Sequence, residues 1–176
     1  FTYEIGDVAG YYFPQLSAAG VSMFDYDDDG DLDVYFVNGN RRLPAFEADP
    51  TSTDRLFRRE ADGRYIDVTA ASGLGDTFFS MGVTTGDYDN DGDQDIFVSN
   101  LGPDQLYRNG GDGTFENATA AAGIDIDAWS AGAVFLDFDR DCFLDLFVAQ
   151  YVEYGRSLRC VTPTGSRTST SMRQSP

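Results

Sequence analysis

An aspartate pattern, D-x-D-x-D-G-x-x-D, recurs three times in this 176-residue chain, and no other feature restricts its fold as much. The first copy holds Asp25, Asp27, Asp29, Gly30 and Asp33, and the second holds Asp87, Asp89, Asp91, Gly92 and Asp95. The third holds Asp137, Asp139, Asp141, Cys142 and Asp145. The leading aspartates lie 62 and 50 residues apart, and the flanks repeat with them. Gly20–Asn38 (GVSMFDYDDDGDLDVYFVN) matches Gly82–Asn100 (GVTTGDYDNDGDQDIFVSN) and Gly132–Gln150 (GAVFLDFDRDCFLDLFVAQ). A second element follows the first two copies: RLFRREADGRYIDVTAASGL (Arg55–Leu74) matches QLYRNGGDGTFENATAAAGI (Gln105–Ile124). Self-similarity at such a period means a solenoid, a propeller or another array.

Each unit reads as strands. Val21–Phe24 and Val134–Leu136 lead into acidic loops, and Val34–Val37, Ile96–Ser99 and Leu146–Ala149 lead out of them. The exits are rich in β-branched and aromatic residues and too short for helices. The second element turns at Asp62-Gly63 and Asp112-Gly113, a strong hairpin signal. Four short strands in a repeat of roughly 50 residues is the pattern of a β-propeller blade. The expected class is therefore all-β, with four-stranded antiparallel repeats over residues 1–158. Arg41–Thr53 reads as a loop insertion that lengthens the first repeat. From about Ser157 the chain turns polar and Ser/Thr-rich without periodicity, and residues 159–176 read as a disordered tail or a truncated end.

The charge pattern says what the loops hold. The chain carries 30 acidic against 12 basic residues, all arginine, for a net charge of −18. Fifteen of the acids sit in residues 25–33, 87–95 and 137–145. Like charges clustered in this way cost free energy unless a counter-charge holds them. Such acidity argues against nucleic acid and against an anionic membrane surface, and it favours a cation. Calcium takes ~6–8 oxygen ligands in a loose geometry, which suits a curling loop with carboxylates at positions 1, 3, 5 and 9. Position 7 offers a backbone carbonyl, from Asp31, Asp93 and Phe143. Glycine at position 6 permits a sharp turn with positive φ. An all-oxygen set suits calcium better than zinc, which prefers Cys and His. An EF-hand needs a bidentate Glu at position 12, but here that position is Phe36, Val98 and Val148, inside strand patterns.

These residues resemble FG-GAP/VCBS-type calcium-binding propeller repeats, as found in the integrin α-subunit head. GVTTGDYDNDGDQDIFVSN and the following LYRNGGDGTFENAT are most similar to the cartilage-acidic-protein-like branch. The resemblance implies a propeller, often seven-bladed, with calcium in the blade hairpins and extracellular binding or adhesion work. It implies no catalysis by these residues. A propeller closes with typically four to eight blades, and about two and a half are present here, so the chain is expected to be part of a longer protein that supplies the others. The partner is expected to be a protein or a glycan. A non-catalytic propeller within a larger secreted enzyme is the alternative.

Several residues depart from the pattern or carry competing readings. Cys142 replaces the position-6 glycine and Arg140 puts a cation inside the third loop, so that site is expected to be the weakest. Asp28 and Asn90, at position 4, are expected to face solvent. Cys142 and Cys160 leave both a disulfide and free thiols open. Asn117-Ala-Thr119 fits a glycosylation sequon, a triplet that also arises by chance. Phe78, Phe79 and Trp129 read as packing residues rather than ligand platforms. The sequence holds no histidine and no GxSxG, which leaves no Ser-His or Cys-His nucleophile system.

Overall fold

The β-branched and aromatic runs form the strands expected of them. A computed structural model describes residues 1–3, 14, 20–40 and 47–152. The tail at 159–176, Cys160 and part of the Arg41–Thr53 insertion lie outside the described residues. The first repeat is one antiparallel sheet of β1 (Val21–Phe24), β2 (Asp33–Phe36), β3 (Arg55–Arg59) and β4 (Tyr65–Asp67), in that order. The second consists of β5 (Phe79–Gly86), β6 (Asp95–Pro103), β7 (Gln105–Asn109) and β8 (Phe115–Asn117). The third contributes β9 (Asp127–Leu136) and β10 (Asp145–Gln150).

All three acidic loops are hairpin connections in one register. Phe24 pairs with Asp33, Gly86 with Asp95, and Leu136 with Asp145. In each, the residue before the first aspartate faces the ninth loop residue, so the pattern is pinned between two strand ends. The Asp-Gly turns form as read, with Gly63 at φ 81° and Gly113 at φ 80°. Two features were not read from the sequence. A single helical turn, α1 (Thr69–Ser72), follows β4 and ends at Gly73 with φ 76°. In addition, β6 runs on past its hairpin, and Leu101–Pro103 pairs with Asp127–Trp129 of β9, which joins the second and third repeats in one six-stranded sheet.

The sheets stack as propeller-like blades that do not close into a ring among the described residues. Each core lies between neighbouring blades rather than inside one. The first blade gives Phe24, Tyr26, Tyr35, Val37, Leu56 and Leu74, and the second gives Ile96, Val98, Tyr107 and Phe115. The opposite face of the second blade supplies Phe97 and Leu106, against Ala133, Phe135, Leu146 and Val148 of the third. Thus Ile96 and Val98 point one way and Phe97 the other, which explains why β6 reads as a continuous apolar run. Burial at both seams makes this strand the centre of the described structure.

Two of the three matching glycines have a packing reason. A Cβ on Gly20 would stand 3.1 Å from the Cα of Gly82, and one on Gly82 would stand 2.8 Å from Ser99 Oγ, whereas one on Gly132 would meet nothing within 4 Å. The first two blades approach closely there, which favours glycine at Gly20 and Gly82.

Candidate metal centre

Each acidic loop curls around its own first carboxylate. Asp25 accepts the N–H groups of Asp29 at 3.1 Å and Gly30 at 2.8 Å. Asp87 accepts those of Asp91 and Gly92, each at 3.1 Å. Asp137 accepts those of Asp141 and Cys142, each at 3.2 Å. The curl requires two left-handed residues per loop. Position 6 is one, with Gly30 at φ 86°, Gly92 at φ 102° and Cys142 at φ 73°. Position 4 is the other, with Asp28 at φ 57°, Asn90 at φ 60° and Arg140 at φ 66°. Asp and Asn tolerate this region and arginine is less suited to it, so the third loop breaks the local rule twice.

The curl gathers carboxylate oxygens. One from each of Asp25, Asp27 and Asp29 lie within 4.8 Å of one another, as do those of Asp87, Asp89 and Asp95, and those of Asp137, Asp139 and Asp145. Positions 1 and 3 therefore converge in every loop, with position 5 in the first and position 9 in the others. Asp33, Asp91 and Asp141 sit in the same loops without joining these groups. Asp31 and Asp93 were expected to act through their carbonyls; the side chain of Asp31 pairs with Arg59, and that of Asp93 lies beside Gly111. Asp28 and Asn90 are exposed as expected, but Asn90 also donates from Nδ2 to the carbonyl of Cys142 at 2.8 Å, tying the second loop to the third.

Position 9 is a brace as well as a candidate ligand. Asp33 accepts the N–H of Tyr26 at 3.2 Å on one oxygen and that of Arg59 at 2.7 Å on the other. Asp95 does the same with Tyr88 at 3.0 Å and Asn109 at 2.8 Å. One fully buried carboxylate thus fixes the loop to β3 or β7, the third strand of its blade. Asp145 accepts from Phe138 at 2.9 Å, the equivalent loop bond, and is exposed.

The electrostatics favour a cation. Burial, with repulsion from Asp29, raises the Asp27 carboxyl above its ordinary range, against the pull of Arg58. Burial and Asp91 do the same at Asp89. Burial lifts Asp95 to about 6. Asp27 Oδ1 is buried without a hydrogen-bond partner. The donor set is entirely oxygen, and an orphaned carboxylate oxygen inside a cluster of like charges fits a hard cation.

The FG-GAP-like repeat model matches this chain twice, over residues 25–98 and 87–148. The chain belongs to the FG-GAP-like repeat family. Both FG-GAP matches begin at the first aspartate of a loop and run into the exit strand of the next. The chain is also similar to Cartilage acidic protein 1 of Mus musculus, with 34% identity over 90 residues, 49% of this chain and 14% of that protein. The chain thus covers a small part of the relative's length.

The FG-GAP blades carry further polar residues that reasoning on the loops passed over. Asp54 and Asp104 immediately precede β3 and β7 and are fully buried. Asp54 accepts the backbone N–H of Asn38 at 2.6 Å, and Asp104 that of Asn100 at 2.7 Å. Both also reach the next blade, accepting from the hydroxyls of Ser80 at 3.0 Å and Ser130 at 2.7 Å. The signal was present, since Asn38 and Asn100 close the matching windows. The sequon also has a structural account. Asn117 Oδ1 accepts Thr119 N–H at 3.1 Å, Asp67 Oδ1 accepts Thr69 N–H at 3.0 Å, and both threonine hydroxyls accept the N–H of the leucine in the third strand at 2.9 Å. The triplet serves the same turn whether it starts with Asn or Asp. Phe79 and Trp129 are buried, in keeping with packing roles.

Proposed function

We propose that this chain is a calcium-stabilised segment of a β-propeller that works as a binding or adhesion module outside the cell. The observation that carries the proposal is the threefold convergence of carboxylate oxygens within 4.8 Å in hairpin loops of one register. Asp25, Asp27 and Asp29 would hold one ion, Asp87, Asp89 and Asp95 a second, and Asp137, Asp139 and Asp145 a third. Bound calcium supplies positive charge that relieves carboxylate repulsion and fixes the hairpins. The residues themselves shape the loop, and Asp33 and Asp95 brace it to the rest of the blade. The aspartates do no catalysis in this reading. Affinity near 10⁻⁴–10⁻³ M, usual for extracellular modules, would suit millimolar calcium. The mouse relative's name, with its cartilage context, supports an extracellular setting. Among the described residues no helix is long and apolar enough to cross a membrane. The partner is a protein or a glycan met on a propeller face.

Thermal unfolding in EDTA, magnesium and calcium tests this reading. Calcium should raise the midpoint clearly, by about 1–3 kcal/mol of stability at saturating concentrations, magnesium should do little, and Asp89→Ala should shrink the rise. A folded sample indifferent to calcium would defeat it.

A further inference from the structure

Outside the loops, the strongest cluster of titratable groups is buried at the two seams. Asp54 and Asp104 are 0% and 1% exposed, and Asp76, in the link between the first two blades, is 3% exposed. Asp76 accepts Phe78 N–H at 3.0 Å and Asn100 Nδ2 at 2.7 Å. The charges acting on these carboxylates are themselves acidic: Asp76 on Asp54, and Asp76 and Asp127 on Asp104. Among the described residues, the other titratable groups facing Asp54 include Tyr35, which donates to it at 3.1 Å, and Tyr3. Tyr107 faces both Asp54 and Asp76. None of these neighbours offers a positive charge, so among the described residues the buried anions are held by neutral donors alone. Burial of an anion without a cation is costly, and a proton relieves it.

The hydrogen bonds tolerate that proton. A serine hydroxyl donates to a carboxylate and accepts from a carboxylic acid, so the contact across the seam survives protonation while the buried charge disappears. The arrangement occurs twice with the same partners in sequence order: the backbone N–H of an asparagine (Asn38 or Asn100), the aspartate, and a serine on the next blade's first strand, β5 or β9. A backbone bond crosses the first seam at the same place, from Ser80 N–H to the carbonyl of Asn38 at 3.0 Å.

We propose that the seams between blades are proton-dependent latches, in which Asp54 and Asp104 of one blade grip Ser80 and Ser130 of the next more firmly at mildly acidic than at alkaline pH. Burial raises both carboxyls, Asp54 well above the ordinary range and Asp104 to about 6. A raised pKa in the folded state means that folding takes up protons. At Asp104 the stability contributed is complete below the ordinary value of 3.8 and is lost as pH rises through about 6, and at Asp54 it is lost as pH rises through that group's own raised value. Calcium loops respond in the opposite sense, because their ligands must be ionised. Acidification that releases calcium would therefore tighten the seams.

The test is urea unfolding of the full chain in EDTA between pH 5 and pH 8, for the native sequence and for Asp104→Asn. Asparagine keeps the size, accepts from Asn100 N–H and donates to Ser130, with no charge to bury. The native midpoint should fall as pH rises, and Asp104→Asn should flatten the fall and stand at or above the native midpoint at pH 8. An Asp104→Asn profile as steep as the native one, or a lower midpoint at pH 8, overturns the latch. If that variant does not fold, carboxyl NMR titration of Asp104 in the native chain decides: titration near 6 supports the latch and an ordinary carboxylate value refutes it. Hydrogen exchange of the Ser130 amide, corrected for its intrinsic pH dependence, should be slower at pH 5 than at pH 8. Equal protection would also overturn the proposal. The readouts need no calcium, so a failure here is distinguishable from a failure of the calcium reading.

Discussion

The second and third loops share a backbone path but not a setting. Both close on the same register, both curl around a first aspartate, and both gather carboxylates from positions 1, 3 and 9. Yet Asp95 is sealed between its own loop and β7, whereas Asp145 braces its loop alone among the described residues and is exposed. The second blade lies between two others. The third presents Val134, Leu136 and Phe147 to solvent, with Phe147 63% exposed. Loop sequence sets the curl, and the neighbouring strand and blade make it rigid.

The contrast is sharpest at position 9. Asp95→Ala should cost about 2–4 kcal/mol in EDTA, since two N–H groups of Tyr88 and Asn109 lose a buried acceptor. Asp145→Ala should cost a small fraction of that. Urea unfolding measures both, and equal losses would abolish the distinction. The next effect is on metal response: Asp89→Ala should reduce the calcium-dependent rise in midpoint more than Asp139→Ala, because the third loop is less firmly held. A larger loss from Asp139→Ala would reverse the ranking of the sites. Exchanging position 6 comes third. Gly92→Ala should destabilise by about 1 kcal/mol, and Cys142→Gly should stabilise by up to about 1 kcal/mol, because φ is 102° at Gly92 and 73° at Cys142. A neutral Gly92→Ala would mean that the loop can unwind at little cost. Smallest is Asn90→Gly, which removes the exposed hydrogen bond between the loops while keeping a residue at ease at φ 60°, and should cost about 0.5 kcal/mol. A loss above that of Asp145→Ala would show that the loops act as one unit.

Much of the fold was legible because it is local. Hairpins at Asp62-Gly63 and Asp112-Gly113 follow from turn chemistry, and the exit strands follow from short runs rich in β-branched and aromatic residues. Position 6 was legible because glycine there has a conformational reason. Position 4 was not, because Asp28 and Asn90 read equally well as solvated carboxylate and amide, and only their φ values of 57° and 60° show the second left-handed residue. The seam residues escaped for a different reason. Asp54 and Asp104 just before strands, and Ser80 and Ser130 in the first half of theirs, are short polar side chains of ordinary appearance, and their burial depends on a blade that lies elsewhere in the sequence. The joining of β6 to β9 was hidden likewise, since Leu101–Pro103 lies beyond the hairpin and contains a proline.

The placement of each core between blades bears on the order of synthesis. Phe24 of β1 shares its cluster with Phe115 of β8, at the far end of the second blade. A nascent chain cannot complete the first core until the second repeat has left the ribosome. Each repeat thus waits one full unit for its cover, and its apolar face is what chaperones and stray strands meet in the interval.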